Sequence, residues 1–243
     1  MLSLIFSMLW AQPPDKALIN QKRKELAPFR SLFLASTHPL IPEEAYQKLA
    51  NGDIITGVVP KEKESSKIGW GIGIFPINIE KLWAALNNGD KHAGYTPVNY
   101  AEIIEGEPCT DKRKIFMTLP IPVLPDRWWV SQSRTNPKLL EQSKGAIREM
   151  SWKNVSDPEK ILPPALQEKI KNMIQIPFAE GAWVLLDLGN GYTLGEYHTW
   201  AHAGGNVPSG LTEIFIEKSV YKTMRAIERF SQQAELICLS QSK

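Results

Sequence analysis

Four polar side chains are the first candidates for chemistry: Arg127, Glu149, Glu196 and His198. Arg127 precedes Trp128-Trp129, and on an extended strand Arg127 and Trp129 share one face while Trp128 takes the other. An inward Arg127 would be a buried cation, requiring an acidic ligand head group or an internal carboxylate such as Glu149 or Glu196. An outward one is a surface arginine. Leu194, Glu196, His198 and Trp200 share one face of the next candidate strand, and Thr193, Gly195, Tyr197 and Thr199 share the other, without fixing which is concave. His198 and His202 have the spacing of a helical metal pair, but a strand end and a loop hold them and no third ligand is near, so no metal is expected. Ser151 lacks the Gly-x-Ser-x-Gly context of a nucleophile, and Cys109, in the turn Glu107-Pro108-Cys109-Thr110, reads as an inert thiol. Seven of the eight tryptophans fall between Trp70 and Trp200. Trp83 and Trp183 read as core, whereas Trp129, Trp152 and Trp200 are candidates to line a cavity, where an indole offers an apolar face and one N–H.

Composition narrows the classes. Lys and Arg number 28 against 26 acids, a net charge of +2, which gives no field for gripping nucleic acid. The hydrophobic share of 43% is that of a globular chain, and two cysteines exclude a disulfide scaffold or an all-cysteine metal site. The apolar run Met1–Trp10 is far short of the roughly 20 residues that span a bilayer. Followed by Ala11, it fits the apolar region of a secretory signal peptide, giving a periplasmic or secreted protein. No Lys or Arg precedes it and Leu9 stands where a small residue is preferred. The alternative is an apolar segment docking on the fold of a cytoplasmic protein. Export would allow Cys109 and Cys238 to pair, although separate thiols are the expectation.

These side chains need elements to hold them. Pro42–Ala50 reads as a helix stopped at Gly52, and Ile54–Val59 as a strand. In Ile68–Phe75, Gly69, Gly71 and Gly73 recur every second residue, predicting a bend or the close approach of another element. The run lacks the spacing of a phosphate loop. Ile77–Leu86 is an amphipathic helix closed by Asn87-Asn88-Gly89. Strand-like segments follow at Tyr100–Ile104, Lys114–Ile121, Arg127–Arg134, Ala146–Trp152, Ala182–Leu188 and Tyr192–Trp200, with a hairpin at Gly189-Asn190-Gly191. From Leu211 to Ile237 apolar residues keep helical spacing, with Ser209 as N-cap. Successive hairpins require an antiparallel sheet, and the last helix is the element long enough to cover its buried face. The fold class is α+β: one curled antiparallel sheet wrapped around a long C-terminal helix, with extra N-terminal helices.

Several of these segments carry a family resemblance. Phe75-Pro-Ile-Asn-Ile-Glu-Lys-Leu-Trp83-Ala-Ala-Leu, with Tyr95-Thr-Pro97 and Glu102–Gly106, resembles the opening of START-like and polyketide-cyclase-like (SRPBCC) domains. Leu119-Pro-Ile-Pro122 with Asp126-Arg127-Trp128-Trp129, and Glu149-Met-Ser-Trp152, resemble strands of that family. The ending Gly181-Ala-Trp183, Gly191-Tyr-Thr193, Tyr197 and Gly204-Gly205-Asn206-Val207-Pro208 is similar to the START ending, although Ala203 replaces the usual polar residue and the proline before it is missing, which favours a bacterial relative.

The resemblance implies the helix-grip fold in a domain of residues 54–239; the residues before it read as a signal peptide over 1–12 and a helical extension over 13–53. It implies binding or carriage of a lipid-like hydrophobic molecule between sheet and helix; beside it, a monomer with transient membrane contact and no cofactor, metal or nucleic acid is expected. The alternative is a cyclase- or aromatase-like enzyme whose cavity gathers Arg127, Glu149, Glu196 and His198. The ligand contacts expected are Arg127, Trp129, Trp152, Glu196, Trp200 and Met224, with Gly204 and Gly205 as a gate.

Overall fold

Caps and turn residues set the element ends. Asp15 accepts the Leu18 amide at 2.8 Å to open the first helix, and Asn78 accepts that of Lys81 at 2.9 Å. Gly189, Asn190 and Gly191 all take positive φ, which closes the hairpin predicted there. The computed structural model of the chain describes residues 12–49, 52–61, 67–110, 112–202, 204–205 and 209–235; Met1–Ala11, Ala203, Asn206–Pro208 and Cys238 lie outside them. In order come α1 (Lys16–Leu26), α2 (Glu43–Lys48), β1 (Ile54–Pro60), β2 (Lys67–Phe75), α3 (Ile79–Asn87), β3 (Tyr100–Glu105), β4 (Arg113–Ile121), β5 (Leu124–Thr135) and α4 (Pro137–Gln142). Then follow β6 (Ile147–Asn154), α5 (Pro164–Lys169), β7 (Ile174–Gln175), β8 (Phe178–Gly189), β9 (Tyr192–His202) and α6 (Ser209–Gln233).

The strands form one open sheet in the order β1-β2-β9-β8-β6-β5-β4-β3. All neighbours in that path run antiparallel, while the two-residue β7 pairs parallel with β5. At 25 residues, α6 is about 37 Å long at 1.5 Å per residue, enough to run along the sheet's concave face. This is the curled sheet around a C-terminal helix that the periodicity predicts.

The alternating glycines of β2 mark where that helix touches. A Cβ at Gly71 would lie 2.4 Å from Met224 Sδ and 2.8 Å from Val220 Cγ1. So α6 rests directly on the β2 backbone, while Trp70, Ile72 and Ile74 fill the opposite face. Gly71→Val should overpack this seam at about 1–3 kcal/mol. Thermal unfolding should then shift down by about 2–4 °C per kcal/mol for a domain of this size. An unchanged midpoint would show that the helix is not seated there.

The sequence predicts one buried sheet face; the sheet buries both. Ile19, Leu26, Tyr46 and Leu49 from the N-terminal segment pack on the convex side against Trp70, Ile72, Val184 and Leu194, so residues 16–49 share the sheet's core. Leu162 and Leu166 cover Phe116, Trp128 and Val130 farther along. Between the two patches runs a polar seam. Glu149, 0% exposed, accepts hydrogen bonds from the backbone amides of Leu34 and Ala35 and from Asn136, and pairs with His38 at 3.3 Å. Glu196 accepts from Arg30 and, at 2.7 Å, from the Tyr46 hydroxyl. His38 and His198 stack with centroids 4.3 Å apart. Burial and the neighbouring His38 push His198 well below the ordinary histidine range.

Candidate ligand-binding cavity

A cavity of about 250 Å³ lies between the concave sheet face and α6. Strand alternation supplies its walls. From β4 come Arg113, Ile115, Met117, Leu119 and Ile121, every second residue in turn. From β5 come Arg127, Trp129, Ser131 and Ser133, and the antiparallel register sets Arg113 opposite Ser133 and Ile115 opposite Ser131. Met150, Trp152, Trp183 and Tyr197 close the floor, and Ile216, Thr223 and Ile227 of α6 form the lid, with His92 and the Thr96–Val98 loop at one end. Most of this surface is aliphatic or aromatic, with polar groups confined to a few positions, the pattern of a small-molecule site.

The two arginines differ in how they are held. Arg127 is 1% exposed; it donates to the Pro125 carbonyl and, from Nη2 at 3.3 Å, to the Gly204 carbonyl. Backbone oxygens therefore solvate it where an internal carboxylate would be the alternative. Arg113, equally buried, donates from Nη1 to Asn87 Oδ1 at 2.8 Å and from Nη2 to Met150 Sδ at 3.0 Å. Burial pulls Arg113 down to about 10, with Asp90 opposing the shift. His92 is likewise pulled down to about 4 by burial, against its hydrogen bond with the Ala85 carbonyl. Burial raises the Tyr197 hydroxyl to about 12, while hydrogen bonds with Thr199 and Thr223 oppose it. The cavity is thus a low-dielectric space holding neutral His92 and a strongly desolvated guanidinium.

The residues singled out in the sequence divide between the two faces. Arg127, Trp129 and Trp152 line the cavity, and Trp152 stacks on Tyr197 at 5.7 Å. Glu149, Glu196, His198 and Trp200 sit on the convex face. Trp200 packs there on Phe178, with Lys61 Nζ 2.8 Å from its ring centroid. Of the four polar candidates for an enzyme, only Arg127 faces the cavity, because residue parity puts the other three on the reverse of the sheet. Met224 is 0% exposed, wedged against the Gly71 backbone, and is not a wall residue. Gly204 and Gly205 both have positive φ, and a Cβ at Gly204 would come 2.7 Å from the Gln175 carbonyl, so a tight left-handed turn fixes glycine there. Cys109 is 5% exposed and disulfide-bonded, not the free thiol expected.

Arg113, His92, Ser131 and Ser133 were not among the sequence candidates. Arg113 stands inside Lys112-Arg113-Lys114, which reads as a basic turn. The alternation Arg113, Ile115, Met117, Leu119 carried the signal, since it puts the arginine on the apolar face. Among the described residues no group of three or more His, Cys, Asp or Glu could hold a metal ion.

No family model matches the sequence, and no curated protein matches it either. Solved structures match the shape. A fragment of the STAR-related lipid transfer protein from Xanthomonas axonopodis superimposes with TM-score 0.62 at 19% identity, covering 76% of this chain and 97% of that one. Human StAR-related lipid transfer protein 5 gives 0.62 at 13% identity over 89% of this chain and 97% of its own. Human STARD10 gives 0.63 at 13% identity over 93% and 83%. The chain has the START-like helix-grip fold.

Proposed function

We propose that this START-like domain binds and carries a hydrophobic small molecule in the space between sheet and α6, without catalysing a reaction on it. One observation carries the reading: an interior cavity walled mainly by apolar side chains, from which Glu149, Glu196 and His198 are turned away. The helix-grip neighbours named as lipid transfer proteins support it. The mechanism is desolvation. Each buried methylene contributes about 0.8 kcal/mol, roughly a fourfold gain in affinity per carbon. At one end Arg127 donates to the Gly204 carbonyl and holds the Gly204-Gly205 turn, which the reading makes the mouth.

Straight-chain alcohols of increasing length test this through quenching of Trp129, Trp152 and Trp183. Affinity should rise about fourfold per carbon and then level off once the cavity is full. Met117→Trp, which fills part of the cavity, should weaken uptake at least tenfold with an unshifted melt. Absence of uptake at every length, together with no co-purifying mass in native mass spectrometry, would sink the proposal.

We propose in addition that the protein works outside the cytoplasm, in the periplasm or secreted. The apolar leader and the disulfide at Cys109 support this, since such bonds persist in oxidising compartments. Fractionation with N-terminal sequencing is the check; an unprocessed cytoplasmic chain would overturn it. Among the described residues no helix is long and apolar enough to cross a membrane.

A further inference from the structure

The polar end of the cavity is built for a charge that the protein does not supply. Arg113 is 1% exposed, and no carboxylate among the described residues is within ion-pair distance. Asp90, the acid whose field reaches it, pairs with Lys91 at 3.5 Å. The outer nitrogen Nη1 is used by Asn87, but the Nε–Nη2 edge, the side that grips a carboxylate with two parallel bonds, has only a thioether. Arg113 Nε has no partner at all. Ser131, opposite Ile115 and on the same wall, is 1% exposed with its Oγ also unpartnered. Two orphaned polar groups facing one largely apolar cavity are costly to leave without partners.

Resting on the carrier reading above, we propose that the ligand is a single-chain acid held head-inward, its carboxylate on the Arg113 Nε–Nη2 edge and in reach of Ser131, its chain running along Met117 and Trp129 towards Arg127. The size agrees. At about 250 Å³ the cavity falls just below the roughly 300–1,000 Å³ common for small-molecule sites, which favours a single-chain ligand. The second arginine does not compete, because Arg127 is solvated by backbone carbonyls.

The test titrates the full chain at pH 7.5 with decanoate, decanol and decyl phosphate, read by calorimetry, and repeats it with Arg113→Met. That variant removes a buried charge and is expected to fold; its melt is recorded beside the wild type. The wild type should bind decanoate at least tenfold tighter than decanol, and Arg113→Met should lose that preference while keeping decanol affinity within about twofold. Decyl phosphate, with the bulkier head, should bind more weakly than decanoate; tighter binding would overturn the carboxylate assignment in favour of a phosphate monoester. Equal binding of acid and alcohol by the wild type overturns the inference and leaves the carrier reading standing. Binding of none of the three overturns the carrier reading itself. Should Arg113→Met not fold, the acid-to-alcohol ratio of the wild type still decides.

Discussion

Glu149→Ala is expected to destabilise the protein by about 3–5 kcal/mol, the loss typical of breaking a buried charge network. The carboxylate is 0% exposed and accepts from Leu34 N at 2.8 Å, Ala35 N at 3.1 Å and Asn136 Nδ2 at 2.6 Å, with His38 at 3.3 Å. Burial pushes its pKa up, yet the hydrogen bonds from His38, Asn136 and the two amides outweigh that and hold it below the usual glutamate range. Truncation leaves these donors facing a void and unpins the chain between α1 and α2 from the convex face. Glu149→Gln keeps the shape but turns an amide N–H₂ towards donors, so about 1–3 kcal/mol is expected. Urea unfolding gives both values. Hydrogen exchange at Leu34 and Ala35 adds a local readout: their amides should lose protection first. Unchanged stability in Glu149→Ala would mean that the seam does not hold the segment.

Stability should also fall steeply on acidification, beginning near pH 6.5. His92, at about 4, is half-buried and His198, held well below the ordinary value, is buried; both rest in the neutral form. In the unfolded chain each titrates near 6.5, so below that pH the unfolded state binds more protons and stability drops as pH falls. Each histidine contributes a slope of up to about 1.4 kcal/mol per pH unit, between 6.5 and 4 for His92. Glu149, with its lowered pKa, acts in the same direction at lower pH: its stabilisation is present above the unfolded value near 4.3 and is lost below it. Unfolding series at pH 7.5, 6.5, 5.5 and 4.5 should show this, and His92→Gln should remove part of the slope. A flat profile would mean that neither imidazole is desolvated as described.

The architecture was legible because its signals are periodic. Leu211–Ile237 reads as one helix, and α6 is described from Ser209 to Gln233. The six strand segments from Tyr100 to Trp200 each lie within or close to an observed strand. The glycine stripe of β2 does mark a close approach. Parity also sorted side chains correctly into sets: Arg127 with Trp129, and Glu196 with His198 and Trp200. What parity cannot supply is direction. Which set looks inward depends on how the sheet curls, a long-range property that no window of ten residues contains. The convex cover escaped for a related reason. Residues 16–49 are about half polar, with Ile19, Leu26, Tyr46 and Leu49 widely spaced, and their anchoring carboxylates lie more than 100 residues away in the chain. Arg113 was hidden by its flanking lysines, which made a wall residue look like a solvated turn.

The glycine seam has a mechanical side. Because α6 lies on bare backbone at β2, that margin behaves like the spine of a book, with no side chain there to rotate aside and yield space. Any widening for a bulkier guest must come from the opposite margin, where β4 and β5 face the helix across the cavity. Substitutions that retune guest size should therefore concentrate at Met117, Leu119 and Trp129, and the helix should stay where β2 holds it.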